Sequence, residues 1–297
     1  MHGTKILIAL LAGAIAGRAA AAEFSGTQAL EFTRAAVAFG PRPSGSPAIR
    51  KLQAYILAQL KLHKCVVTQD DFTAQTPAGQ TPMKNIIARF PGTTGTAMVI
   101  TGHYDTKSMP GRNFVGANDG GSSTGLLLEM ARALQATPHA SDVYLVWLDG
   151  EEAVAQWTET DSLYGSRHLA ARWSEEGMLD RVKLLINVDM IGDKDLGIVR
   201  EQESAQNLRM LVWDIAKSLG LGRYFLDETT AIADDHLPFL HRGVNALDLI
   251  DFDYGPGNAY WHTEKDTMDK LSADSLSVVG KVLLKVLEAM DGRDPRR

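Results

Sequence analysis

Between residues 25 and 39 the apolar side chains Leu30, Phe32, Ala36 and Val37 recur at helical spacing, and Gly40-Pro41 ends the run. A turn-rich stretch over 42–47 leads into a second helical pattern at 47–62, with Leu52, Ile56, Leu60 and Leu62 on or near one face. Short β-rich runs at 84–90, 97–102, 142–148 and 183–190 then alternate with helical patterns at 122–135, 164–173 and 205–219. Strands separated by helices require crossover connections, so the pattern predicts an α/β fold with a mixed, largely parallel central sheet and helices on both faces. The run 143–148 is almost wholly apolar, as a strand covered on both sides must be. A last helix is expected over 272–290, capped by Ser272 and carrying Leu276, Val279, Leu283, Val286 and Met290 as a stripe that covers one face of the sheet. No repeat, long linker or charge run divides the chain, which reads as a single domain.

Composition narrows the setting. Of 297 residues, 22 % are charged and 45 % hydrophobic, the balance of an ordinary globular protein. The chain begins with a basic start, an apolar run from Ile6 to Ala16 and an alanine run ending at Ala22, the order of a secretory leader. That run is well short of the roughly 20 residues that span a bilayer. We therefore expect a signal peptide over 1–22, a catalytic domain over 23–297, no stable membrane insertion after the leader is removed, and a periplasmic or extracellular product. Removing 1–22 takes away Lys5 and Arg18 and no acid, so the net charge moves from −6 to −8. Such a balance excludes a nucleic-acid partner, which needs a basic face. Cys65 is the sole cysteine, so no intrachain disulfide can form, and its apolar neighbours Val66 and Val67 mark it as a packed residue rather than a nucleophile.

In open α/β sheets, sites form beyond the carboxyl ends of the strands, and polar residues cluster there in this sequence. His103-Tyr104-Asp105 follows the run 97–102, and Asn118-Asp119-Gly120-Gly121 precedes a helix. Asp149-Gly150-Glu151-Glu152 follows 142–148, where one glutamate can ligate a metal while the other serves as a general base. Asp189 sits near the end of an otherwise apolar strand, where a lone carboxylate is costly unless paired or metal-bound. Tyr260-Trp261-His262-Thr263 adds a second histidine. Each element alone has a bland explanation as a turn, a solvated face or a hydrogen-bonded residue. Together they supply the nitrogen and oxygen donors that zinc accepts in open catalytic sites. Ser162 and Ser166 lack a Gly-x-Ser-x-Gly elbow, which argues against a hydroxyl nucleophile. His168 and His236 read as structural partners of nearby carboxylates.

The ordered set His103-Tyr104-Asp105, Asn118-Asp119-Gly120, Gly150-Glu151-Glu152, Asp189-Met190-Ile191-Gly192 and Trp261-His262-Thr263 resembles peptidase family M28, the clan of zinc aminopeptidases and glutaminyl cyclases. The likeness runs from about Phe39 to Leu287. Two strings, 149–170 and 234–240, look like the cyclases in particular. The resemblance implies that Asp119, Glu152 and His262 are zinc ligands, Glu151 the general acid and base, and Asp189 and Asp234 carboxylates hydrogen-bonded beside it. It implies that Trp157 and Trp261 wall the substrate pocket, and that His103 and Asp189 would hold a second zinc bridged by Asp119 in the two-metal aminopeptidases. The cysteine pair of the animal cyclases is missing. The loop 248–257 is more acidic than its cyclase counterpart, so its carboxylates are expected to favour a cationic amino terminus. The implied activity on peptide or protein N-termini is cyclisation of an N-terminal glutamine with one Zn2+. The alternative is aminopeptidase hydrolysis with two Zn2+, and the minor alternative is an inert binding domain. Oligomeric state is not legible.

Overall fold

Two packed apolar faces of one sheet account for most of the buried side chains. The computed structural model describes residues 23–135 and 138–291; the leader expected over 1–22 lies outside them. In chain order the elements are helices α1 (Gly26–Val37) and α2 (Pro47–Leu60), then strands β1 (Val66–Thr76), β2 (Gly79–Phe90) and β3 (Ala97–His103). They continue with α3 (Gly121–Leu134), β4 (Asp142–Leu148), α4 (Tyr164–Glu175), β5 (Val182–Asp189), β6 (Ile198–Glu201) and α5 (Gln206–Ser218). The last are β7 (Phe225–Thr230), α6 (Leu237–Leu240), β8 (Ala246–Ile250) and α7 (Ala273–Asp291). Among the described residues, six strands form one sheet in the order β1-β2-β4-β3-β5-β8, and β6 and β7 pair separately. The pairs β4/β3, β3/β5 and β5/β8 are parallel, while β1/β2 and β2/β4 are antiparallel. The sheet is thus mixed and largely parallel, as the pattern predicted.

Alternation along the strands divides the core. Met98 and Ile100 of β3, Leu145 and Trp147 of β4, and Leu184, Ile186 and Val188 of β5 face one layer, filled by α1, α2, α3, α5 and α7. Ala97 and Val99, Val146 and Leu148, and Leu185 face the other, filled from α4 and α6 by Leu169, Trp173 and Phe239. Ser25 and Ser46 cap α1 and α2, accepting from the amides of Gln28 and Ile49, and Ser272 caps α7 by accepting from Ser275.

Three expectations need correction. Leu62, counted on the apolar face of α2, lies past the end of that helix and is 71 % exposed. Cys65 is only half-buried at the margin of the larger core, where burial raises its thiol pKa. The stretch 248–257 is not all loop, because Ala246–Ile250 is a fully buried edge strand of the sheet.

Among the described residues no helix is long and apolar enough to cross a membrane. Helices α1 and α3 cross so closely that a Cβ at Gly125 would stand 2.1 Å from Thr33 Oγ1 and 2.4 Å from the Ala29 carbonyl oxygen. Gly125→Ala gains about 1 kcal/mol of helix propensity but drives a methyl into backbone, where overpacking costs roughly 1–3 kcal/mol. A net loss of up to about 2 kcal/mol is expected from the shift of the urea unfolding midpoint; an increase in stability would show that the two helices separate freely.

Candidate metal centre

The carboxyl ends of β3, β4 and β5 open into one polar pocket, closed by the loop before α3 and the loop between β8 and α7. His103 ends β3, Glu151 and Glu152 follow β4 and Asp189 ends β5. Gly120, at φ +75°, turns the loop before α3 so tightly against His103 that a Cβ there would lie 2.4 Å from the Asp105 carbonyl oxygen. That turn delivers Asp119 to the pocket. His262 arrives from the other loop with φ 51°, a left-handed conformation that costs a non-glycine residue about 1–2 kcal/mol. Its ring is fixed by stacking on Trp261, with centroids 4.1 Å apart, and by the edge of Phe114.

Two groups of donors result. His262 Nε2 lies 3.0 Å from Glu152 Oε1 and 3.3 Å from Asp119 Oδ2. His103 Nε2 lies 3.1 Å from Asp189 Oδ1 and 3.2 Å from Asp119 Oδ1. Within each trio the donor atoms lie within 4.8 Å of one another, and Asp119 belongs to both. A tetrahedral ion with bonds of about 2.1 Å needs its ligand atoms roughly 3.4 Å apart, close to the 3.0–3.3 Å between each histidine nitrogen and its two carboxylate oxygens. Asp119 Oδ2 is also buried without a hydrogen-bond donor. Buried orphan oxygen, spacing and donor chemistry all fit a divalent ion such as zinc.

The local electrostatics are those of acids crowded out of water. Burial, and then the charge of Asp119, raises the Glu152 carboxyl above its usual range. Burial raises Glu151 far more; His103 opposes this, while Glu152, Asp234 and Asp235 add to it. Asp234 is pushed up to about 6 by burial and then by Asp189. Burial works against charge on His262, but the adjoining carboxylates of Asp119 and Glu152 outweigh it and lift the ring to about 9. Glu151 is therefore held well above the ordinary carboxylate range, beside a group built to hold a cation.

The structure brings together Asp119, Glu152 and His262, and it sets His103, Asp189, Glu151 and Asp234 around them. Trp261 lies against the site through His262. Trp157 is 42 % exposed on the segment after Glu152, so it is not a core residue. Two of the three acids of 248–257 are placed otherwise than expected, while Asp253 is exposed. Asp248 is buried and accepts from Asn187, and Asp251 is buried and accepts from the Gly197 amide, so neither is free to meet an amino terminus. His168 and His236 pair with Asp70 and Glu201, each at 3.1 Å.

The sequence singles out Asp105 beside His103, whose Nδ1 lies 3.4 Å from its Oδ1, while other positioning residues escaped that reading. Asp105 accepts from the amides of Glu151 and Glu152 and so aims both side chains. Asp266 accepts from the amides of Asn118 and Asp119 and from the Tyr254 hydroxyl. Arg42 is wholly buried and donates to the carbonyls of Tyr104, Val115 and Gly116, clamping together the two ends of the segment between β3 and α3 that carries Asp119. Its place between Pro41 and Pro43 in a turn-rich stretch gave no sign of this. Lys107 places its ammonium 3.4 Å from Glu152 Oε2.

An acidic, histidine-bearing pocket at the strand ends of a largely parallel sheet defines a class, the open-site metalloenzymes. Residues 85–287 match the family model of peptidase family M28, and the chain belongs to that family. Glutaminyl-peptide cyclotransferase of Drosophila melanogaster is 31 % identical over 268 residues, covering 80 % of this chain and 75 % of that protein. A glutaminyl cyclase from an Acidobacteriales bacterium superposes with a TM-score of 0.89 at 44 % identity, over 92 % of this chain and 97 % of that one. A Zn-dependent exopeptidase from Parabacteroides distasonis superposes at 0.81 with 26 % identity, over 92 % of this chain and all (100 %) of that one.

The turn bearing Asp234 is pinned from behind by Glu201, which accepts from the Glu203 and Ser204 amides, the Ser204 hydroxyl and His236. Burial alone would raise the Glu201 pKa, but those hydrogen bonds, His236 foremost, outweigh it and hold the carboxyl at about 2. A folded pKa below the unfolded one stabilises the protein above about pH 4.3, the unfolded value, and that contribution fades as pH falls toward 2. Glu201→Gln is expected to cost about 1–2 kcal/mol at pH 7, with the gap to the parent narrowing below pH 4 in urea titrations. A gap independent of pH would refute the charged role.

Proposed function

We propose that this protein is a zinc-dependent glutaminyl-peptide cyclotransferase, which closes the N-terminal glutamine of a peptide to pyroglutamate and releases ammonia. The observation that carries this reading is the buried carboxyl of Glu151, raised well above the ordinary carboxylate range and set next to the trio Asp119, Glu152 and His262. The likeness to glutaminyl cyclases over nearly the whole described chain supports the same choice. The leader-like order of 1–22 supports export to a periplasm or the outside.

Asp119, Glu152 and His262 would hold the ion. When bound, it supplies Lewis-acid polarisation of the glutamine side-chain carbonyl. Glu151 takes a proton from the α-amine, whose nitrogen bonds to the side-chain carbonyl carbon. The same carboxyl then returns the proton to the departing nitrogen, which leaves as ammonia. Asp234, and behind it Asp189, keep the Glu151 proton from being lost by placing negative charge beside it. Asp105 holds the Glu151 backbone in place. Trp261, stacked on His262, offers an aromatic wall to the small side chain, and Trp157 a more exposed one.

A second reading is favoured by the trio His103, Asp119 and Asp189, whose spacing equals that of the first. With two zincs, Glu151 would activate water and the protein would be an aminopeptidase of the same family.

Purified protein incubated with a glutaminyl peptide and with aminoacyl arylamides, alongside zinc analysis, separates the readings. Ammonia without arylamine at one zinc per chain is expected; arylamine release at two zincs per chain would overturn cyclisation. Glu151→Gln should lower kcat by about 10²–10⁴-fold while the zinc content is unchanged. Full activity in that variant would remove Glu151 from the chemistry.

A further inference from the structure

A groove of about 460 Å³ runs beside the metal centre, between the start of α2 and the segment after β3. Phe39, Pro41, Pro43 and Met109 give it apolar walls, and Lys51 and Lys107 give it charge. No acidic residue lines it, in a chain whose net charge is −6. Lys107 joins groove to site, because its ammonium lies 3.4 Å from Glu152 Oε2. Lys51, exposed on α2, has no acidic partner among the described residues. Proline-rich walls are stiff, so a segment laid along them meets a surface already shaped.

We propose that this groove binds the residues following the N-terminal one of the substrate peptide, and that it selects an acidic side chain at the second or third position. The inference rests on the reading that the site acts on peptide N-termini. A peptide whose first residue lies against Glu151 and Glu152 must leave the pocket, and an exit past Lys107 leads into the groove. At about 3.3 Å per extended residue, the second and third side chains come alongside Lys107 and Lys51. Lys107 is already shared with Glu152, so Lys51 is the cation with most to gain from an incoming carboxylate. The aliphatic part of a glutamate would meanwhile lie on Phe39 and Met109.

The test reads binding and turnover separately on the full protein. Calorimetry compares the product-like peptides pyroglutamyl-Glu-Glu-Ala amide and pyroglutamyl-Lys-Lys-Ala amide. Ammonia release compares the matching glutaminyl peptides. The acidic peptides should bind and react about fivefold better, as one or two exposed ion pairs allow, and the preference should shrink at about 0.5 M salt. Lys51→Glu should abolish or reverse it. Equal binding of the two peptides, or a preference unaltered by Lys51→Glu, overturns the groove assignment even if both glutaminyl peptides are cyclised. A preference in binding with no ammonia from either peptide supports the groove and instead overturns cyclisation.

Discussion

A cluster of carboxylates removed from water must be neutralised, and most of this structure answers that requirement. Asp119, Glu151, Glu152, Asp189, Asp234 and Asp235 are all buried around one pocket. Isolated ions there would cost several kcal/mol each by rough estimate. The chain offsets the cost in three ways: histidines and Lys107 within ion-pair reach, raised proton affinity at Glu151 and Asp234, and a space between the donors fit for a cation.

Holding acids so close also requires rigid backbone. Arg42 clamps the segment that carries Asp119 by its carbonyls, while Asp105, Asp266 and Glu201 grip loop amides. These groups touch no candidate substrate position, yet they define where Asp119, Glu151 and Glu152 point. A buried guanidinium satisfied by carbonyls, and buried carboxylates satisfied by amides, are polar groups whose cost is met by specific partners. The left-handed φ of His262 and the glycine turn at Gly120 belong to the same framework.

The parallel strands and their covering helices were legible because each buries a periodic apolar face, and buried faces write a period into sequence. The runs leading to β3, β4 and β5 were found within a residue or two of their ends. The β1 hairpin arm was not, since Val66–Thr76 is an edge strand with few buried side chains. Strand β6 is only four residues long, and β7 is mostly polar and exposed. The acidic edge strand β8 looked like loop because Asp248 breaks its apolar run, although that carboxyl is buried against Asn187.

Local chemistry was equally uneven in what it revealed. A strand followed at once by His, Asp or Glu advertises a site, because position after a strand fixes which end of the sheet a side chain reaches. Sequence alone therefore determined the fold class, the order of the polar clusters and the donor types available to a metal. Only the tertiary structure decided that Asp248 and Asp251 turn inward, and that Arg42 and Asp266 hold the loop that carries Asp119. Those facts depend on contacts between segments distant along the chain, and no local pattern of residues encodes a distance across the fold.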